Sequence, residues 1–255
     1  MSFDTQSAGL FLDKAARTAT AVPQFDSGAF DVDTAYAIQQ ASIANRFQRG
    51  ERLVGMKMGF TSRAKMVQMG VRDMICGRLT DQMMVEDGGV ISRAAYVHPR
   101  VEPEIAFLLK RRIHGPITPL QAMDAVEAVA PALEIIDSRY KDFKFSLEDV
   151  VADNSSSSGF VIGAWARPDQ DLSNLGMVMS VDGRPVEIGS SAAILGHPAR
   201  SLAAAARLSA QRDIPLEAGS IVLAGGATAA VALAVGASVT LEVQNLGRCG
   251  FTVGE

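Results

Sequence analysis

Apolar residues recur along this chain at two spacings, and the switch between them marks its elements. Between Ser7 and Thr18, Leu10, Phe11 and Ala15 fall at helical spacing and predict a short amphipathic helix, with Pro23 beyond its end. Tyr36, Ile43 and Phe47 then follow at spacings of seven and four, behind Asp33 as an N-cap, and predict a second helix closed by Gly50. Residues 1–50 thus form an N-terminal helical cap; the pattern fits packing on the main body and an oligomer surface equally.

From Leu53 the period shortens. Leu53 to Phe60 reads as a strand with one charge, Lys57, between Met56 and Met58, and Thr61-Ser62 caps a short helix from Arg63 to Met69. Gly77 to Asp81 is a loop, and Asp87-Gly88-Gly89 a turn. Val97 to Leu109 is a strand with Val101, Ile105, Phe107 and Leu109 on one side. Thr118 caps a helix with Pro119 at its first position and a stripe of Leu120, Met123, Val126 and Ala130; Pro131 ends it and feeds the strand Ala132 to Ile136. Ser146 and Asp149 form a capping box. Strands follow at Phe160 to Gly163 and, as a hairpin around Asp182-Gly183, at Met177 to Val181 and Arg184 to Ile188. An alanine-rich helix runs from Pro198 to Gln211, before strands at 220–224, 237–243 and 248–253. Many short strands with inserted helices predict an α+β fold with a mixed, mainly antiparallel core, residues 51–255 forming one body.

Composition narrows the function classes. With 255 residues, 48% of them hydrophobic, the chain can bury a full core. A formal net charge of −4 leaves no basic footprint for nucleic acid. Two cysteines, Cys76 and Cys249, make neither a structural zinc site nor a secreted disulfide framework. The N-terminus lacks the basic start and apolar run of a signal peptide, and the most apolar stretch, Ile221 to Val239, is broken by glycines. A cytoplasmic protein without membrane or nucleic-acid partners is the expectation.

Glu102 and Glu104 share the side of their strand opposite the apolar residues. Adjacent carboxylates repel unless they are solvated, protonated or bridged by a cation. A solvated strand face is the plain alternative. A third carboxylate, Glu134, sits inside the apolar strand Ala132 to Ile136, and three carboxylates from two strands suit Mg2+ or Mn2+. Lys57 is either an edge-strand gatekeeper or a functional group, with Gly55 and Gly59 permitting close approach. Asp153-Asn154-Ser155-Ser156-Ser157-Ser158-Gly159 is either a flexible linker or a hydroxyl-rich cradle for a substrate carboxylate. His98, His114 and His197 have loop contexts, no Ser-His-Asp set stands out, and Gly225-Gly226-Ala227-Thr228 is a weak anion nest.

Two segments, His98-Pro99-Arg100-Val101-Glu102-Pro103-Glu104-Ile105-Ala106-Phe107 and Leu133-Glu134-Ile135-Ile136-Asp137-Ser138-Arg139, resemble the metal-site segments of the 2-oxopent-4-enoate hydratase/4-oxalocrotonate decarboxylase family, within the fumarylacetoacetate hydrolase fold group. The similarity runs from about Asp33 onward. It implies a β-roll or barrel-like body, a small 2-oxo dicarboxylic acid substrate, Mg2+ (or Mn2+) on Glu102, Glu104 and Glu134, and a homo-oligomer. It implies catalytic roles for Lys57, near the reacting end and favouring negative charge there, and for Asp153 and Asn154, which line the pocket with Ser156 and Ser157; an ammonium between two glycines could also orient the departing carboxylate. Leu79 would offer backbone groups to the substrate, Thr228 would bind it, and Arg139 would bind the distal carboxylate or pair with Asp137. Lys57 to Ser62 with Ala64-Lys65-Met66, the His98-Pro99-Arg100 entry and Ala224 to Ala230 look more like the decarboxylase branch. The hydratase branch, a complex with that hydratase, and a non-catalytic partner subunit are the alternatives.

Overall fold

The computed structural model describes residues 3–62, 66–67, 71 and 73–255. Two helices open the chain, α1 (Thr5–Arg17) and α2 (Val32–Gln48). Asp4 caps α1 through the Ser7 N–H. Asp31, not Asp33, caps α2: its extended backbone lets its carboxylate accept the Thr34 N–H at 2.8 Å, while Asp33 in the first turn pairs with Arg212. Ala8, Leu12, Ala35 and Ile38 join the same buried core as the strands, so the helices pack on the body. The buried Gln39 amide fastens them there, donating to the carbonyls of Cys76 and Val151 and accepting from the Arg78 guanidinium.

The body is built on β1 (Leu53–Gly59), β2 (Ile75–Thr80), β3 (Met84–Val85), β5 (Arg100–Leu109), β6 (Val126–Ile136), β7 (Ser157–Ile162), β10 (Ile221–Leu223) and β11 (Val231–Ala232). They form one sheet in the order β2-β1-β10-β5-β6-β7-β3, with β11 also on β5. A second sheet, of β4 (Val90–Ser92), β13 (Gly247–Gly254), β12 (Ser238–Val243), β8 (Gly176–Val181) and β9 (Arg184–Ser190) in that order, packs over β6 and β7. Between these strands, among the described residues, pairing is antiparallel except at β1–β10, β3–β7 and β4–β13. The hairpin turn at Asp182-Gly183 has positive φ at both residues, as its sequence predicts. No helix is long and apolar enough to cross a membrane among the described residues.

The larger sheet curls on itself. Asn154, just before β7, accepts the Arg78 N–H of β2 at 2.8 Å and donates to the Arg78 carbonyl at 3.0 Å, joining strands far apart in the sheet order. A Cβ on Gly77 would lie 2.4 Å from the Asn154 carbonyl oxygen, so the closure requires glycine. Strand alternation then divides the side chains. Val101, Ile105, Phe107 and Leu109 face the main core outside the curl, whereas Ala106, Ala130, Ala132, Phe160 and Leu223 plug its inside.

Where a helix was expected through Ala130, only one turn forms, α3 (Pro119–Met123), and β6 runs through Pro131. The β-branched Val126 and Val129 suit the strand, and Leu120 is exposed rather than part of a buried stripe. Pro131 is tolerated because its side of the ladder lies beyond the end of β7, where its carbonyl accepts from Gly163. Pro103 likewise lies opposite the gap between β10 and β11. The helix expected from Arg63 to Met69 lies outside the described residues except at Met66 and Val67, both helical. The remaining helices are α4 (Leu147–Ala152), with its capping box, and α5 (Pro198–Arg212).

Candidate metal centre and active site

β5 carries Glu102 and Glu104 two positions apart, both facing into the curl, and the β5–β6 register sets Glu134 opposite Glu102. One oxygen from each carboxylate lies within 4.8 Å of the others. Glu104 and Glu134 are fully buried. Burial, with the charges of Glu134 and Glu102 behind it, pushes the Glu104 carboxyl well above the usual carboxylate range, against the opposing pull of Lys57 and the Gly225 N–H. One Glu104 oxygen accepts that N–H at 2.6 Å; Oε1 has no hydrogen-bond partner among the described residues. A hard cation satisfies such an oxygen. An ion at ~2.0–2.6 Å from each carboxylate needs ligand atoms within roughly 5 Å of one another, so these three residues fit Mg2+ or Mn2+.

Lys57 is on β1, between β2 and β10, so the edge-strand explanation does not hold. Its Nζ lies 3.1 Å from both oxygens of Glu134 and offsets part of the clustered negative charge. Ser157 donates to Glu134 Oε1 at 2.8 Å. Both residues, expected on the substrate, are thus bonded to a carboxylate of the cluster.

A cavity of about 330 Å3 opens beside the cluster. Lys57 and Glu102 reach it from the carboxylate side, Arg100 enters from the start of β5, and Ile136, Phe143 and Phe145 give it apolar walls. Ser156 also lines it, and its buried hydroxyl has no protein partner among the described residues.

The chain is similar to known proteins over most of its length. Residues 56–254 match the model of the fumarylacetoacetate (FAA) hydrolase C-terminal family. The chain belongs to the fumarylacetoacetate hydrolase family. A 4-oxalocrotonate decarboxylase of Pseudomonas sp. is 65% identical over 246 residues, 96% of each chain. A 2-hydroxyhexa-2,4-dienoate hydratase of Comamonas testosteroni is 37% identical, over 86% of this chain and 85% of that protein. The structure of the 4-oxalocrotonate decarboxylase from Pseudomonas putida G7, complexed with magnesium and adipate, matches with a TM-score of 0.94 at 38% identity, over 98% of this chain and 97% of that one. The expected α+β class and barrel-like body are those of the fumarylacetoacetate hydrolase fold.

Within that fold, the serine run is not a flexible linker. Asn154, Ser155 and Ser156 all have φ between 50° and 61°, a left-handed turn that costs about 1–3 kcal/mol per non-glycine residue. It is held by the Asn154 amide on Arg78 and by the Ser155 hydroxyl, which donates to the Cys76 carbonyl at 2.8 Å. It then delivers Ser156 to the cavity and Ser157 to Glu134.

Other expected site residues stand behind the cavity. Arg139 is buried and pairs with Asp153, not Asp137: its Nε and backbone N–H donate to the Asp153 carboxylate, and Nη2 to the Asp153 carbonyl at 2.6 Å. Asp137 instead accepts the Val97 and His98 N–H groups. Burial pushes the Asp153 carboxyl up to about 6, with Arg139 opposing. Leu79 is ladder-paired with Gly55 and plugs the inside of the curl. The Thr228 hydroxyl donates to the Ala229 carbonyl, and Ala229 and Ala230, not Thr228, line the cavity. Gly225-Gly226 is no ligand nest: it holds the carboxylates, since Gly225 donates to Glu104 and a Cβ on Gly226 would meet Glu102 Oε2 at 2.7 Å.

Sequence reasoning gave no separate role to Arg100, although strand alternation places it on the Glu102 side. It also missed Phe143, which reaches the cavity from a turn where Asp142 and Phe143 both adopt positive φ. Only the fold brings that turn to β5.

Proposed function

We propose that this protein is a metal-dependent decarboxylase acting on 4-oxalocrotonate (2-oxohex-3-enedioate) and giving 2-hydroxypenta-2,4-dienoate and CO2 in aromatic meta-cleavage catabolism. The observation that carries the reading is the convergence of Glu102, Glu104 and Glu134 beside a cavity that also receives Lys57 and Arg100. Identity of 65% to a named decarboxylase, against 37% to a hydratase, favours decarboxylation over hydration. The magnesium and adipate held by the Pseudomonas putida relative support a divalent cation and a six-carbon dicarboxylate.

In the reaction the bond between carbons 5 and 6 breaks. Its electron pair passes through the conjugated chain to the keto oxygen, carbon 6 leaves as CO2, and the oxygen takes a proton to give the dienol. A divalent cation on the three glutamates would supply Lewis acidity at the 2-oxo acid end. Glu102, Glu104 and Glu134 would hold that ion, and so would place the 2-oxo acid end beside them. Lys57, paired with Glu134, favours the negative charge that develops there. Ser156 offers a hydrogen bond to the substrate, while Asp153, Arg139 and Asn154 hold its turn in place. The protein would act in the cytoplasm as a homo-oligomer able to associate with the hydratase of the same route.

The test offers the protein Mg2+ with 2-oxohex-3-enedioate and, separately, with 2-hydroxypenta-2,4-dienoate. Conversion of the diacid to the dienoate supports the decarboxylase. Water addition to the dienoate without decarboxylation of the diacid supports the hydratase instead. Metal binding without turnover of either supports a partner subunit.

A further inference from the structure

Arg100, Glu102 and Glu104 are successive inward positions of β5, with Arg100 at its first residue. Two residues of strand advance about 7 Å. An extended six-carbon diacid has five carbon–carbon bonds and spans about 6 Å between its carboxyl carbons. A substrate with its 2-oxo acid end at the glutamates and its chain along β5 therefore places its second carboxylate at the level of Arg100.

The surroundings of Arg100 suit that role. It is half-buried, and its guanidinium lies 4.2 Å from the centre of the Phe143 ring, a stacking that fixes the planar donor group. Arg49, Arg52, Arg139, Arg207 and Arg212 each hold a carboxylate, whereas Arg100 has none among the described residues. Lys57, the other cation among the described lining residues, is engaged by Glu134. The nearby walls, Ile136, Phe143 and Phe145, cannot compensate a carboxylate.

We infer that Arg100 is the specificity-determining residue for the substrate's second carboxylate, separating the dicarboxylate from monocarboxylates such as the dienoate product. This rests on the decarboxylase reading. The ion pair belongs to the bound substrate and dissolves as the carboxylate becomes neutral CO2, so it contributes to binding more than to the chemical step. The product has no charge at that end and loses the contact, which favours its release.

The experiment compares two unreactive inhibitors, 2-oxoadipate and 2-oxohexanoate, in the Mg2+-loaded parent and in Arg100→Met and Arg100→Lys. The parent is expected to bind the diacid at least 10-fold more tightly. Arg100→Met should bind the two equally and show KM for the diacid substrate raised 10-fold or more, with kcat within about threefold. Arg100→Lys should recover part of the preference. Equal binding of both inhibitors by the parent overturns the inference without needing any variant. So does an undiminished diacid preference in Arg100→Met. Failure of the parent to release CO2 overturns the decarboxylase reading instead, and is scored separately.

Discussion

Glu102 and Glu134 are directly opposed across the β5–β6 ladder, two acidic side chains on the inner face of a curled sheet. Like charges at such positions destabilise a sheet. Glu104, diagonal to Glu134 and opposite Ala132, adds a third carboxylate where water is excluded. Lys57 supplies one positive charge. At Glu104, whose Oε1 has no hydrogen-bond partner among the described residues, the charge is offset by a proton or by a bound cation, and the exchange of one for the other is measurable.

Replacing Glu104 with Gln should lower Mg2+ affinity by about 10²-fold, on the scale of a lost metal partner, and abolish turnover with it. Calorimetry in buffers of different ionisation enthalpy should show a proton released when Mg2+ binds the parent, less so in the variant, because the Glu104 carboxyl is held above its ordinary range. The same shift sets the sign of a stability effect. A raised folded pKa contributes stability that is fully present below the unfolded value, about 4.3, and is lost as pH rises through the folded value. Metal-free protein should therefore lose this contribution as pH rises, with Mg2+ restoring stability; urea midpoints with chelator or Mg2+ check it.

Lys57→Met should lower kcat by about 10²-fold, the scale of losing a charge-stabilising donor. Mg2+ affinity should hold or increase, because the variant removes a positive charge beside Glu134. A parallel fall in metal affinity and rate would make Lys57 a support for the metal site alone. Titration of metal alongside turnover distinguishes the two.

Gly226→Ala places a methyl 2.7 Å from Glu102 Oε2. Gly226 does not have the positive φ of Gly225, so the conflict is steric and confined to the carboxylate. Near-parental thermal stability with Mg2+ affinity reduced about 10-fold or more is expected.

Arg139→Met separates the buried pair. Leaving Asp153 uncompensated should cost about 3–5 kcal/mol of stability. The KM of the remaining folded protein should stay near that of the parent, whereas a residue contacting the substrate would raise KM with little loss of stability. Denaturant unfolding and steady-state kinetics on one preparation decide it.

What was legible in the sequence followed from local chemistry. The Asp182-Gly183 turn, the Thr118 N-cap, the Ser146 capping box, and the shared side of Glu102 and Glu104 each depend on residues close along the chain. Pro131 misled because its tolerance depends on where β7 stops, about 30 residues away. Lys57 was ambiguous for the same reason: whether its strand is an edge depends on β10, far along the chain. The hydroxyl-rich run left linker and cradle open, and showed neither its left-handed turn nor which serine meets Glu134. Arg100 was visible by alternation from Glu102, yet its importance emerges only when Phe143 and the cavity walls surround it.

The most direct test follows carbon 6. Substrate carrying 13C at that position is mixed with metal-stripped protein, and Mg2+ is then added while labelled CO2 and the dienoate are both measured. The account predicts little CO2 before the addition, then labelled CO2 and 2-hydroxypenta-2,4-dienoate in equal amounts, with no such release from Glu104→Gln. Label retained in an organic acid after Mg2+ is added, or equal CO2 release by that variant, would contradict it.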